Sequence, residues 1–160
     1  MSGFHFSPRP NRAAEIEWRE WGEAAFEEAR RLDRPILLAI SAVWCHWCHV
    51  MDETTYSEPA VIATINAGYV PVRVDNDLRP DVNNRYNMGG WPTTAFLTPQ
   101  GDILTGGTYL PPDQMLAALQ RVETFYRGHR PEIAASVLEA RRRAGTVIAS
   151  SAGSRSTRSR

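Results

Sequence analysis

The chain has 160 residues, of which 42% are hydrophobic and 22% charged, and its formal net charge is zero, a composition typical of one soluble globular domain with a hydrophobic core. No apolar run approaches the roughly 20 residues of a membrane helix and the N-terminus lacks the apolar segment of a secretory signal, so we expect a cytoplasmic protein without a membrane partner. Residues 1–140 carry a net charge of −6 and residues 141–160 one of +6, and a mildly acidic body argues against a nucleic-acid partner.

The first quarter of the chain predicts an arm, a helix and a buried strand. Residues 1–14 are rich in Pro, Arg and Asn, and we expect them to form an irregular N-terminal arm. In residues 15–34, Trp, Ala and Leu recur every three or four positions, which predicts an amphipathic helix that ends before Pro35. The apolar run 36–43 has the length of a strand and does not alternate with polar residues, which favours a strand buried on both faces.

The rest of the chain predicts alternating helices and strands. In order they are a helix at 57–68, a strand at 69–75, a short helix at 81–86, a strand at 93–98 that forms a hairpin with residues from 103, a helix from Pro111 and a last helix that ends near Arg143. This order implies a parallel pair of strands with an antiparallel hairpin at the edge. We therefore predict an α/β fold with a central mixed sheet and helices on both faces. The Ser/Arg-rich tail at 144–160 is expected to be disordered.

The chemistry-bearing stretch is Trp44-Cys45-His46-Trp47-Cys48-His49, which contains both cysteines of the chain. It joins the first buried strand to a helix, and cysteines three residues apart on a first helical turn can form a disulfide. In the cytoplasm such a pair indicates redox exchange or metal binding. A helix N-terminus or a neighbouring imidazolium lowers a thiol pKa to about 3.5–7.5. Cys45 would lie at that N-terminus, with His46 beside it and His49 one turn along.

The same stretch is compatible with two kinds of metal or cofactor site. A zinc ion could use Cys45, Cys48 and His49, all of which are legitimate ligands. Ligands within one helical turn diverge, however, and no second Cys/His pair follows. The spacing Cys45-x-x-Cys48-His49 also matches the attachment pattern of c-type haem, but that chemistry needs export from the cytoplasm.

Other residues have two possible roles. Trp44 and Trp91 either form an apolar collar around the sulfurs or pack in the core, as most aromatic residues do. Trp47 and Pro92 are further candidates for substrate contact. Arg73 and Asp75, near the end of a predicted strand, are candidate charge partners of the cysteine site. His5 and His129 have no candidate site residue beside them and are expected at the surface.

Several motifs, in this order and spacing, resemble a known family. They are Trp44 to Met51, Pro59-Ala60-Val61, Arg79-Pro80-Asp81-Val82, Gly89-Gly90-Trp91-Pro92-Thr93 and Gly107-Thr108-Tyr109. Over roughly residues 15–140 the chain resembles the thioredoxin-like DUF255 domain at the N-terminus of proteins similar to spermatogenesis-associated protein 20. In those long relatives a helical-barrel domain follows, which we expect this chain of 160 residues to lack.

The resemblance implies a thioredoxin-like domain over residues 15–143 and a thiol–disulfide oxidoreductase without a bound cofactor. It assigns attack to Cys45, resolution to Cys48 and a cis peptide bond to Pro92. The implied partners are a disulfide-bearing protein or thiol substrate and a separate electron donor. Many thioredoxins have a buried acid six residues before the first cysteine, where this chain has Ala39. A non-catalytic protein-binding or redox-sensing module is therefore the alternative function.

Overall fold

A computed structural model describes residues 3–129, 131–133, 135, 139 and 142. Met1–Thr124 and Phe125–Arg160 form two compact units. In the second unit the rings of Phe125 and His129 stack with centroids 4.2 Å apart. The predicted tail at 144–160 lies outside the described residues, and so does most of the predicted helix that ends near Arg143.

The first unit and the helix that continues beyond it alternate helices with strands. In chain order the elements are α1 (Glu23–Leu32), β1 (Ile36–Ser41), α2 (His46–Glu53), α3 (Pro59–Gly68), β2 (Val70–Asp75), α4 (Pro80–Tyr86), β3 (Thr93–Leu97), β4 (Ile103–Gly107) and α5 (Pro112–Gly128), with 3₁₀ turns at Ala13–Glu15 and Thr55–Ser57. In the described part of the chain, no helix is both long and apolar enough to cross a membrane.

The four strands form one sheet in the order β2-β1-β3-β4. β1 pairs with β2 in parallel, whereas β1 with β3 and β3 with β4 are antiparallel. The predicted parallel pair, the antiparallel hairpin and the α/β class with a mixed sheet are thus confirmed.

β1 is buried on both faces, as its unbroken apolar run predicted. Ile36, Leu38 and Ile40 pack with residues of α1 and α4, and Leu37 and Ala39 pack with residues of α2, α3 and α5. Helices therefore cover both faces of the sheet. The cysteine motif comes directly after this central strand. The buried strand therefore fixes the position at which α2 begins.

The helix predicted over residues 15–34 is wrong in its first part, because α1 begins only at Glu23. Residues before it extend along the edge strand instead: the Arg19 N–H donates to Pro71 O at 2.8 Å, and the Arg73 N–H donates to Arg19 O at 3.1 Å. Pairing with an open sheet edge satisfies backbone groups that the helix would otherwise have bonded internally. This tertiary contact outweighs the helical spacing of Trp18 and Trp21.

Candidate functional site

The two cysteines lie between the end of β1 and the first turn of α2. Cys45 is the N-cap residue of α2, with extended backbone, and Cys48 lies in the first turn. Their Cα atoms are 5.2 Å apart and their sulfurs form a disulfide. The Cys45 sulfur also accepts a hydrogen bond from the backbone N–H of Cys48 at 3.1 Å. Cys45 therefore occupies the position at which the free N–H groups and the dipole of a helix favour negative charge.

Large aromatic side chains surround the disulfide at the surface. Trp44, Trp47 and Trp91 are 59%, 54% and 36% exposed, whereas Cys45 and Cys48 are only 6% and 3% exposed. The structure thus places the three tryptophans outside the core. Their contact with a substrate stays a prediction.

Two ring contacts arrange these side chains, together with Tyr109, in two pairs. The rings of Trp44 and Trp91 meet edge to face with centroids 5.5 Å apart, and those of Trp47 and Tyr109 lie 5.3 Å apart. We call these four residues the aromatic rim. A groove of about 280 Å³ opens within it and has an uncharged lining of Trp47, Gly89, Gly90, Trp91, Thr108 and Tyr109.

Two polar side chains that the sequence analysis missed orient the rim. Asp77 accepts a hydrogen bond from Trp44 Nε1 at 2.9 Å. Buried Asn83 of α4 accepts one from Trp91 Nε1 at 3.0 Å. These pairs are 33 and 8 residues apart in the chain, so no local pattern signals them.

The Trp91–Pro92 peptide bond is cis. Gly89, just before it, has φ +109°, a conformation that glycine adopts at little cost. β3 begins directly after the proline, and its first residue, Thr93, pairs with Ile40 near the end of β1. Pro92 therefore lies at the same end of the strands as the loop that carries the cysteines.

A buried ion pair lies further along α2, about one turn beyond Cys48. The side chains of Asp52 on α2 and Arg73 on β2 are 2% and 4% exposed and share two hydrogen bonds of 3.0 and 2.9 Å. The Ser7 N–H donates to the same carboxylate at 3.0 Å. Of the two candidate charge partners, Arg73 thus binds Asp52, and Asp75 accepts a hydrogen bond from the Asp77 N–H.

The N-terminal arm packs against this ion pair. His5 O accepts a hydrogen bond from Arg73 Nη2 at 2.9 Å. The guanidinium carbon of Arg73 lies 4.4 Å from the centre of the Phe6 ring. The arm, the sheet and α2 therefore meet at one buried cation.

A second contact holds the arm at the end of α2. Arg9 Nε lies 2.8 Å from a Glu53 carboxylate oxygen, and the Ser7 hydroxyl donates a hydrogen bond to the same oxygen. The hydrogen bonds from Arg9 and Ser7 hold the pKa of Glu53 below its ordinary value. We call Asp52, Glu53 and Arg73, together with arm residues 5–9, the buried anchor.

The two histidines of the cysteine motif have different surroundings. His46 is exposed, and its ring lies 5.5 Å from that of Trp47. His49 is half-buried, and its Nε2 atom is buried without a hydrogen-bond partner among the described residues. The ring of His5 is exposed, as expected, but its centroid lies 6.2 Å from that of His49. His5 thus borders the site, which its distant place in the sequence did not indicate.

Within the described residues, no group of three or more His, Cys, Asp and Glu side chains is placed to hold a metal ion. Both sulfurs of the alternative zinc set, Cys45, Cys48 and His49, are engaged in the disulfide. Zinc binds thiolates, so that alternative stays a prediction for the dithiol form.

Three curated relatives align with part of the chain. An uncharacterized protein of Caenorhabditis elegans is 41% identical over 106 residues, and human spermatogenesis-associated protein 20 is 37% identical over 109 residues; these stretches cover 61% and 63% of this chain. Thiol:disulfide interchange protein DsbD 1 of Pseudomonas aeruginosa is 36% identical over 84 residues, or 50% of this chain. In each case the match covers only 14% of the relative's length.

Solved structures share the fold at lower identity. A thioredoxin from Thermus thermophilus superposes with a TM-score of 0.61 at 22% identity, over 72% of this chain and 94% of the other. A DsbH oxidoreductase superposes with a TM-score of 0.58 at 19% identity, over 77% and 93%. These likenesses show the thioredoxin fold.

The family model named Thioredox_DsbH, described as a protein of unknown function, DUF255, matches residues 9–143. The match includes the cysteine pair, the Gly-Gly-Trp-Pro segment and every strand of the sheet. It confirms the resemblance inferred from the motifs. The chain therefore belongs to the DUF255 family of thioredoxin-like proteins.

Proposed function

We propose that this chain is a thiol–disulfide oxidoreductase in which Cys45 attacks and Cys48 resolves. The observation that carries the proposal is the Cys45–Cys48 disulfide at the N-terminus of α2, with the Cys45 sulfur accepting the Cys48 N–H. The same hydrogen bond and the helix dipole stabilise a thiolate at Cys45 in the dithiol form. The names of two similar proteins, DsbD 1 and DsbH oxidoreductase, support the same chemistry.

The exchange has two steps. The Cys45 thiolate attacks one sulfur of a partner disulfide, and the other partner sulfur leaves as a thiolate. Cys48 then attacks Cys45 in the mixed disulfide, which releases the second partner thiolate and closes the Cys45–Cys48 bond. Two electrons pass from the dithiol to the partner, and a separate donor must reduce the enzyme again. In the cytoplasm, our proposed location, thiols are kept reduced, which favours the reductase direction.

The aromatic rim supports a protein or peptide as the partner. Exposed apolar patches on soluble proteins mark interaction sites, and the groove beside Trp47 and Trp91 has an uncharged lining. We propose that an extended stretch around the partner's disulfide lies on this surface.

The alternative, a binding or redox-sensing module, is favoured by one observation. Ala39 lies beside Arg73 and Thr94 in the sheet, so the strand under α2 offers no carboxylate at the position where many thioredoxins have one. A module of this kind would use the same rim but would turn over slowly or not at all.

A disulfide-reduction assay with insulin separates the two functions. We expect the reduced wild type to reduce insulin under dithiothreitol recycling, and both Cys45→Ser and Cys48→Ser to fall to the background rate. Cys48→Ser, which retains the attacking thiol, is expected to accumulate a mixed disulfide that Cys45→Ser does not form. Wild-type activity equal to that of Cys45→Ser would overturn the enzymatic proposal and favour the binding module.

A further inference from the structure

The loop between α4 and β3 forms one wall of the groove. It supplies Gly89, Gly90 and Trp91 to the groove's lining. Two glycines in succession give a backbone an unusually wide choice of conformations, so such a loop keeps one shape only where other groups bind it. Asn83, a buried residue of α4, is one of the groups that bind it.

The side-chain oxygen of Asn83 accepts two hydrogen bonds from this loop. The indole Nε1–H of Trp91 donates to it at 3.0 Å, and the Nδ2–H of Asn87 donates to it at 2.9 Å. An indole N–H can only donate, so the atom that it contacts must be the oxygen of the Asn83 amide and not its nitrogen. This oxygen therefore connects α4 with residues on both sides of the glycine pair.

Asn87 in turn binds the two glycines. Its side-chain oxygen accepts a hydrogen bond from the Gly89 N–H at 2.8 Å, and its Nδ2–H also donates to Gly90 O at 3.2 Å. The hydroxyl of buried Thr93 donates to the same Gly90 oxygen at 2.7 Å. The three groove residues of the loop are thus linked, directly or through Asn87, to the side-chain oxygen of Asn83.

This network is distinct from the redox pair. It joins α4 to the loop before β3 and includes neither cysteine nor a residue of α2. Through Trp91, whose ring meets that of Trp44, it also orients one pair of the aromatic rim. Loss of the network should therefore change how a large partner is bound and leave the chemistry of the sulfurs in place.

We propose that Asn83 is a positioning residue for the partner protein and acts through Trp91 and the two glycines. The proposal rests on the proposed thiol–disulfide exchange and on the groove as the place where the partner lies. The oxygen of Asn83 holds the groove in the shape that binds the partner before exchange begins, and such preorganisation raises affinity because less order must be imposed on binding. Since the network uses this oxygen only as an acceptor, a carboxylate at position 83 should serve as well as the amide.

Insulin reduction by three variants of the full chain tests this role. Asn83→Leu has nearly the same size and lacks the acceptor, and Asn83→Asp retains it. Asn84→Leu makes the first change at the exposed neighbouring position and is the matched control. We expect Asn83→Leu to raise KM about fivefold or more and to keep kcat within about twofold, the pattern of lost binding rather than lost chemistry. Asn83→Asp and Asn84→Leu should keep both constants within about twofold of the wild type.

A small disulfide separates this role from general damage to the fold. Bis(2-hydroxyethyl) disulfide carries the reacting sulfurs but no side chain that could fill the groove, so all three variants should reduce it at the wild-type rate.

Three results would overturn the positioning role. They are an insulin KM of Asn83→Leu within about twofold of the wild type, a KM of Asn83→Asp raised as much as that of Asn83→Leu, and an Asn83→Leu variant that is equally slow with both disulfides, which would show that Asn83 supports the fold as a whole. If the wild type itself reduced neither disulfide, the proposed exchange would fail, and the role of Asn83 in it would fail with it.

Discussion

The two ends of α2 reverse the usual distribution of residue types. At the N-terminal end, beside the disulfide, the aromatic rim exposes more than half of Trp44 and of Trp47. Towards the C-terminal end, the buried anchor removes both charges of Asp52 and Arg73 almost completely from water. Charged residues are rarely buried unless they are paired, and exposed aromatic patches are usually interaction surfaces.

The difference indicates that the two ends of α2 serve different purposes. The anchor ties α2 to the sheet and to the arm through Asp52, Arg73 and Glu53, and so it fixes the helix that carries the sulfurs. The tryptophans of the rim lie outside the core, and in our proposal they contact a partner. Substitutions in the anchor should therefore change stability, and substitutions in the rim should change the affinity for a partner.

The largest effect is expected from Arg73→Met. It leaves the Asp52 carboxylate buried without its cation, and breaking a buried ion pair in this way costs about 3–5 kcal/mol. The free energy of unfolding in urea, measured by circular dichroism, should fall by that amount near pH 7.

Two controls accompany this variant. The double variant Asp52→Leu with Arg73→Met should recover most of the loss, because replacing a buried pair with apolar residues is often neutral or stabilising. Arg19→Met breaks the Arg19–Glu28 pair, whose side chains are 26% and 25% exposed, and should cost about 1 kcal/mol or less. If Arg73→Met and Arg19→Met lowered the free energy of unfolding equally, the anchor would not differ from an ordinary surface pair.

Trp47→Ala tests the rim. The side chain is half exposed and packs on Tyr109, and such an aromatic contact contributes about 0.5–1.5 kcal/mol beyond the buried area. With insulin as substrate we expect KM to rise about five- to tenfold, while the free energy of unfolding changes by about 1 kcal/mol or less.

The matched control for the rim is Ile103→Ala, which removes a half-exposed apolar side chain from β4, away from the groove. It should leave KM unchanged. If Trp47→Ala lost stability and kept its KM, the rim would be part of the fold rather than a partner surface.

The elements that position the sulfurs were predictable because their signals are local. The apolar run of β1 needs no knowledge of its neighbours, and Pro59 marks a helix start within one turn. The cysteine spacing likewise indicates a redox or metal site from four consecutive residues, although it does not choose between them. The helix predicted from residue 15 fails for the opposite reason: Arg19 is held by a strand more than 50 residues later.

The buried anchor was not predictable by the same means. Asp52 and Glu53 look like the solvent-exposed face of a helix, and their partners lie 21 to 46 residues away in the chain. Only packing of the arm against α2 distinguishes Asp52, which is buried, from an acid on a helix surface. The burial of His49 Nε2, which has no hydrogen-bond partner among the described residues, has no local signal in the sequence either.

The smallest effect separates the outer part of the anchor from its core. The hydrogen bonds from Arg9 and Ser7 hold the pKa of Glu53 below its ordinary value. A carboxylate whose pKa is lower in the folded state stabilises the fold fully above its unfolded pKa, about 4.3, and loses that contribution as the pH falls further. The unfolding free energies of wild type and Glu53→Gln should therefore differ slightly at pH 6 and converge towards about pH 3. A gap that stayed constant over this range would show that the Glu53 charge does not hold the arm.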